Sequence, residues 1–259
     1  MRKVVYMSLC FMVIGCTQEK QTDQESNEIE NDENIENSSQ PEVVEMMQNA
    51  HGVSNLDGKD ISFTFRDKQY ARYSFNNQYS YSRSGENEKG EMIIDSWRGD
   101  DFQRSINGVD VQVTSKEENG YKSSINSVFY FALLPVAISD PAVNVRSLGD
   151  VKIKDQMYTK IEVTFDEEQG GEDHSDIFIY WMNKETHTMD FLAYQYFTEG
   201  GGIRFREAFN QRDIEGFRFQ DYNNYEPLAG IELIDMDIAY EMGRMELISE
   251  IVLTGVKVK

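Results

Sequence analysis

Apolar and polar residues alternate with a period of two in Ile61-Ser62-Phe63-Thr64-Phe65-Arg66, in Tyr79-Ser80-Tyr81-Ser82-Arg83 and in Ile161-Glu162-Val163-Thr164-Phe165. Alternation sends every second side chain to the same face, so each segment reads as a strand with one face toward a core. Similar patterns predict strands at 69–75, 91–98, 101–106, 109–113, 176–182, 189–197, 203–210, 216–225 and 246–258. The connectors carry residues that accept the positive φ of tight hairpins, among them Asn76-Asn77, Asn107-Gly108 and Glu215-Gly216. Strands joined in order by short turns form an antiparallel meander, whereas parallel pairing needs long crossovers.

Helical spacing occurs in three places. Ser39-Gln40-Pro41-Glu42 has the S-x-x-E spacing of a capping box, and Val43, Met47 and Ala50 follow on one face, so a short helix is expected from about 41 to 50. Ile125, Val128, Phe129, Ala132 and Leu133 fall at helical spacing, and Tyr130, Phe131 and Leu134 fill the other side. A helix apolar nearly all round is expected to be buried, and Pro135 ends it. A further short helix fits 235–242. The expected fold class is mainly β with a minor α part: one large curved antiparallel sheet, an open half-barrel of about 11 strands, enclosing the central helix, behind a short N-terminal helix. Residues 42–259 make one domain.

The N-terminus follows other rules. Arg2 and Lys3 precede the apolar run Val4 to Ile14, which ends at Gly15-Cys16. As a helix the run spans roughly 16 Å, about half of a hydrocarbon core of ~30 Å. It is too short for an ordinary membrane span and reads as an export signal over residues 1–15. Val13-Ile14-Gly15-Cys16 resembles the bacterial lipobox. That resemblance implies a diacylglyceryl group on the Cys16 sulfur, followed by cleavage before Cys16. A plain secretory signal that happens to contain Cys16 is the competing reading. Cys10 lies inside the signal, so the mature chain holds Cys16 alone, which excludes an intramolecular disulfide, a CxxC pair and a Cys nucleophile.

Charge narrows the partners. The chain has 46 acidic and 25 basic residues, and loss of Arg2 and Lys3 with the signal takes its formal charge from −21 to −23. Residues 16–41 read as the lipidated Cys and an acidic disordered tether, because Ile29 and Ile35 are its only aliphatic residues after Cys16. Such a charge argues against nucleic acid and against docking on anionic head groups, so attachment to a membrane falls to the lipid anchor.

Four segments carry a resemblance to a family of Bacteroidota lipoproteins of uncharacterised function. They are His51-Gly52, Ser127-Val128-Phe129-Tyr130-Phe131-Ala132, the run from Gly170 to Trp181, and Gly200-Gly201-Gly202-Ile203-Arg204-Phe205-Arg206-Glu207. The order of elements also resembles the Lol-type lipoprotein carriers and their receptor. The resemblance implies a lipid-anchored envelope protein and supplies no activity. Thr17, which is not Asp, is similar to outer-membrane sorting under the enterobacterial rule, so the outer membrane is the expected location, with the leaflet open.

Two constellations bear chemistry. Asp173, His174 and Asp176, in a glycine-rich loop, bring an imidazole and carboxylates together and could hold a metal ion, but they equally suit a solvated hairpin loop, and no known metal motif backs them. Arg204 and Arg206 alternate with Ile203 and Phe205 and so share a sheet face, and a hairpin would bring Arg218, Gln220 and Tyr222 to that face. Guanidinium forks bind carboxylates and phosphates, although in an acidic protein they also pair with its own acids, here Glu207 or Asp221. Phe129 and Trp181 suit either core packing or an apolar pocket, and His51, before Gly52, suits a helix C-terminal cap. No nucleophile elbow, Walker loop or S-x-x-K occurs, and no cofactor is expected.

The leading expectation is a non-enzymatic binding protein for a hydrophobic or amphiphilic ligand in the concave face. Ligand candidates are Arg204, Arg206, Tyr222, Phe129 and Trp181. A hydrolase or metal-dependent enzyme built on the His174 loop, and a structural or partner-binding lipoprotein, remain alternatives. Cys16→Ser should block lipid-dependent processing and release or mislocalise the protein while the domain stays folded; mass analysis and membrane fractionation check this, and unchanged processing and fractionation overturn the lipoprotein reading.

Overall fold

The computed structural model describes residues 40–76, 78–166, 175–197 and 200–259. Helix α1 (Gln40–Ala50) leads into β1 (Ile61–Phe65), β2 (Lys68–Phe75), β3 (Gln78–Glu86), β4 (Met92–Arg98), β5 (Asp101–Ile106) and β6 (Val109–Val111). After α2 (Ser115–Ala132) come β7 (Val143–Ile153), β8 (Gln156–Phe165), β9 (Ile177–Asn183), β10 (Met189–Tyr196), β11 (Gly202–Ile214) and β12 (Phe217–Pro227). Then α3 (Met236–Glu241), β13 (Met245–Ile251) and β14 (Thr254–Val258) close the chain.

These strands form two seven-stranded antiparallel sheets, ordered β14-β1-β2-β3-β4-β5-β6 and β13-β12-β11-β10-β9-β8-β7. The expected single sheet of about 11 strands is therefore corrected: the meander is real, but it divides. The division lies inside the segment 246–258, which the pattern presented as one strand. β13 pairs with β12, β14 pairs with β1, and the chain passes from one sheet to the other at Val252 and Leu253. There the backbone bonds to side chains in place of a neighbouring strand. Leu253 N donates to Asp221 Oδ1 (2.9 Å), and Arg212 Nη2 donates to both Leu253 O (2.7 Å) and Asp221 Oδ1 (3.0 Å).

Hairpin chemistry explains the short connections. Asn107-Gly108 and Glu215-Gly216 have positive φ at both residues, as expected, and Arg66-Asp67 and Lys154-Asp155 adopt the same geometry without glycine. The strand β7 escapes the alternation pattern because its pairing with β8 shifts between Ser147 and Asp150, where Gly149 has φ 91°.

Helix α2 starts well before the expected apolar segment, at a T-x-x-E capping box: Glu117 N donates to Thr114 Oγ1 (3.3 Å) and Thr114 N donates to Glu117 Oε2 (2.8 Å). Burial on all sides is corrected too. Only Ile125 and Phe129 within it are buried, because the helix stands between the sheets and leaves space beside it.

Three apolar clusters hold the molecule together. Ile125, Phe129 and Leu133 pack with Ile61, Phe63 and Tyr70 of the first sheet. Val43 and Met47 of α1 pack with Ile161, Tyr180 and Leu192 on one face of the second sheet. On its other face Trp181, Phe205 and Ile179 pack under Leu233 and Met236. All three clusters lie within Ser38–Lys259, one compact unit with its own core. Among the described residues no helix is long and apolar enough to cross a membrane.

His51 ties α1 to the second sheet. Its Nε2 accepts from Met189 N (3.0 Å), and its carbonyl accepts from Arg218 N (3.0 Å). Gly52, at φ 72°, crosses the β11–β12 turn so closely that a Cβ would lie 1.8 Å from Gly216 O. Burial, then the Arg218 charge, pushes the His51 pKa from about 6.5 down to about 3. A depressed folded-state pKa means that stability is full above pH 6.5 and falls with pH, since only the unfolded chain takes the proton. Between pH 6.5 and 5 the wild type should lose roughly 1–2 kcal/mol that His51→Gln does not; urea unfolding of both proteins at the two pH values measures the difference.

Candidate functional site

A row of polar side chains crosses the inner face of the first sheet, in register: Tyr70, Arg83, Asp95 and Arg104. Asp95 is fully buried and accepts from Arg83 Nη2 (2.6 Å) and Arg104 Nε (2.8 Å). The same cations reach α2: Arg83 Nη1 donates to Ser124 Oγ (2.8 Å), and the Arg104 guanidinium lies 3.5 Å from the centre of the Tyr121 ring. The polar first half of α2 is thus held by ions, and its apolar second half by Ile125, Phe129 and Leu133.

On the other side α2 meets the second sheet. Tyr130 and Tyr180 share a 2.6 Å hydrogen bond, and burial raises the pKa of both hydroxyls above the usual range. Phe131 lies tilted against Tyr194, with ring centres 5.5 Å apart. Beside the Phe131–Tyr194 contact lies a cavity of about 690 Å³, walled by Phe65 and Tyr70 from the first sheet, Val128 and Phe131 from α2, and Arg206 and Tyr222 from the second sheet, among others. A second cavity, of about 330 Å³, lies across α2, beside Tyr130, Phe178 and Asp176.

The two arginines of β11 do share a face, as expected, but their surroundings differ. Arg204 is paired with Glu226 (3.0 Å). Neither of the expected acids serves: Glu207 points to the opposite face, where it holds Lys154 (2.7 Å), and Asp221 holds Arg212. Arg206 is 6% exposed and lines the larger cavity. Its Nη2 donates to the Tyr194 hydroxyl (3.0 Å), and its guanidinium lies 3.6 Å from the Phe131 ring centre. Its Nε and Nη1 have no hydrogen-bond partner, and no carboxylate pairs with it among the described residues. Burial lowers its pKa from the usual arginine range. A cation–π contact is worth up to about 2 kcal/mol, whereas desolvating an ion costs several. Arg206 is a charge without its counter-ion.

Tyr222 lines the same cavity; its hydroxyl accepts from Gln220 Nε2 (2.9 Å), and burial pushes its pKa up to about 12. Two other candidates are corrected. Phe129 packs edge-on to Phe63 at 5.5 Å, on the side of α2 facing the first sheet, and does not line the cavity. Trp181 is fully buried on the far face of the second sheet, edge-on to Phe205 at 5.6 Å, because the strand period sends 178, 180 and 182 inward and 179 and 181 outward. His51, expected as a cap, instead bonds across to β10. Asp173 and His174 lie outside the described residues. Asp176 borders the smaller cavity, and among the described residues no group of three or more His, Cys, Asp or Glu could hold a metal ion.

The pattern reading missed Arg66, Lys68, Arg83 and Tyr194, which also line the larger cavity. A signal existed for Arg83: it shares the apolar face of its strand with Tyr81, and a cation on a core face needs a reason.

The fold and the site define a β-rich domain in which a helix stands between two antiparallel sheets and a partly open cavity combines aromatic groups with buried positive charge. The chain belongs to DUF6503, a family of unknown function, whose match spans residues 31–252. No curated protein matches the chain. Among solved structures it is similar to a LolA superfamily protein from Nitrosomonas europaea, at 11% identity and a TM-score of 0.46, over 86% of this chain and 92% of that one. It is also similar to the lipoprotein LppX of Mycobacterium tuberculosis, at 11% identity and a TM-score of 0.28, over 63% and 91% of the two chains. A DUF1329 family protein from Desulfovibrio piger is similar at 9% identity and a TM-score of 0.37, over 86% and 92%.

The support for Arg83 can be tested directly. Asp95→Asn leaves two cations on the inner face without their shared counter-ion, and should cost about 3 kcal/mol of stability, read as a lower urea midpoint at pH 7. A change under ~0.5 kcal/mol would show that solvent screens the pair.

Proposed function

We propose that this protein is a non-enzymatic lipoprotein, held at the outer membrane through lipid on Cys16, whose β domain binds a hydrophobic or amphiphilic ligand in the cavity beside α2. The observation that carries the binding reading is that cavity. At about 690 Å³ it falls within the ~300–1,000 Å³ range of small-molecule pockets. Phe65, Val128, Phe131 and Leu253 give it an apolar wall, and polar side chains such as Arg83, Arg206, Gln220 and Asn224 line the rest more richly than in most such pockets, so it offers both surfaces an amphiphile needs. The anchor reading rests on the lipobox-like Val13 to Cys16 and on a charge that repels anionic lipid surfaces.

The reading predicts a dependence on tail length. Each buried methylene contributes about 0.8 kcal/mol, so within the series octanol, decanol, dodecanol each two-carbon step should tighten binding roughly fifteen-fold until the cavity is full. Ser127→Trp, at an exposed α2 position whose side chain borders the cavity, should weaken dodecanol at least ten-fold with the fold retained, as followed by calorimetry and circular dichroism. Affinity that is flat with tail length and indifferent to Ser127→Trp overturns the assignment.

A further inference from the structure

The larger cavity has an unusual electrostatic character for this chain. Arg66, Lys68, Arg83 and Arg206 line it, and among the described residues no Asp or Glu does. The whole chain has 46 acidic residues against 25 basic ones, so composition alone predicts the opposite sign. Asp95 neutralises Arg83 from behind, whereas Arg66 and Lys68 are exposed and unpaired among the described residues. Arg206 is more than nine-tenths buried, and two of its nitrogens have no acceptor.

Contacts with Phe131 and Tyr194 fix the orientation of the Arg206 guanidinium, but neither ring brings a negative charge. Arg204, one strand step away, has Glu226. Elsewhere Lys160 donates to Asp237 at 2.8 Å and Arg83 to Asp95 at 2.6 Å, and Arg72, buried away from this cavity without a carboxylate among the described residues, donates Nη1 to the carbonyls of Leu56 and Lys59. A binding site is the place where an unpaired buried charge has a use, because the ligand supplies the missing partner when it binds.

Building on the proposed binding role, we infer that the ligand is an amphiphile whose head group is a single oxyanion, a carboxylate or a phosphate, that pairs with Arg206 while its tail lies against Phe131, Val128 and Phe65. Arg66 and Lys68 draw the head group to the cavity, and Arg206 holds it. A neutral amphiphile of equal length fills the same walls and leaves the guanidinium unpaired, so the site discriminates by charge.

Residues 38–259, which hold all three core clusters, are titrated with dodecanoate, dodecyl phosphate and dodecanol below their micelle concentrations, and with acetate and inorganic phosphate. At least one dodecyl anion should bind ten-fold or more tightly than dodecanol, and acetate and inorganic phosphate should bind far more weakly than either. Arg206→Met should erase the preference for the anion and change dodecanol affinity less than three-fold. It should melt no lower than the wild type, since it removes an unpaired buried charge. Arg206→Lys should keep part of the preference.

Dodecanol binding as tightly as both dodecyl anions overturns the inference and leaves the proposed binding function standing; no binding of any dodecyl probe overturns both. Acetate or inorganic phosphate binding as tightly as the dodecyl forms shows a site for a small free anion, which also overturns it. Retention of the anion preference in Arg206→Met assigns the discrimination elsewhere. If Arg206→Met fails to fold, a wild-type melting temperature raised no more by the dodecyl anions than by dodecanol decides against the inference.

Discussion

The architecture turns on the grip of Arg212 and Asp221 at Leu253. A strand leaving one sheet exposes backbone groups that lose their ladder partners, and a buried unpartnered amide or carbonyl is costly. Asp221 accepts from the Leu253 amide and Arg212 donates to its carbonyl, so both backbone groups of Leu253 keep partners where the chain crosses between sheets. The crossing separates two layers that would otherwise continue as one curved sheet. Layers held apart in this way leave an interior wider than side chains alone fill, and α2 occupies part of it. The cavity is the remainder, which explains why Leu253 and Ile251 from the crossing line it together with residues of α2 and both sheets.

Buried charges are satisfied in different ways on this frame, and Arg72, without a carboxylate partner among the described residues, donates to the carbonyls of Leu56 and Lys59. Arg83, Arg104 and Asp95, or Lys160 and Asp237, are closed sets in which each ion meets its opposite within 3 Å. They tie elements together: the first anchors the polar half of α2, the second fastens α3 to the far face of the second sheet, where Lys160 also lies over the Trp181 ring. Arg206 belongs to neither set. Removing one partner from a closed pair leaves an uncompensated charge, whereas removing an ion already uncompensated relieves that state. The same physics gives Asp95 and Arg206 opposite roles in stability.

Much of this was legible in the chain. Alternation located most strands, and helical spacing placed α1 and α3 almost to the residue. The shared face of Arg204, Arg206 and Tyr222 also followed from period-two geometry. What alternation could not show was partnership across distance. Whether an arginine in an acidic protein finds a carboxylate depends on which strands become neighbours, and Arg204 and Arg206 have opposite answers two residues apart. The division at Val252 was hidden because both flanking strands share one apolar pattern, and the side chains that permit it lie some 30 to 40 residues upstream. The β7 strand was hidden by a register shift that breaks its period, and Trp181 by a strand apolar on both faces, which gives no clue to which face meets the cavity.

That two-sided burial bears on how a ligand reaches the cavity. The second sheet is covered by α1 and α2 on one face and by α3 on the other, and nearly every residue of β9 is buried. Among the described residues α2 packs on one face of the first sheet, and on its other face Tyr73 and Phe75 stand exposed. Displacement costs least where the fewest buried contacts resist it. The cavity thus has two unlike walls: β11 and β12 place Arg206 and Tyr222 in a sheet packed on both faces, whereas the β1–β2 turn carries the exposed Arg66 and Lys68. In the proposed site the group that recognises the ligand is therefore set among buried contacts that resist displacement, and the cations that attract the ligand stand in solvent.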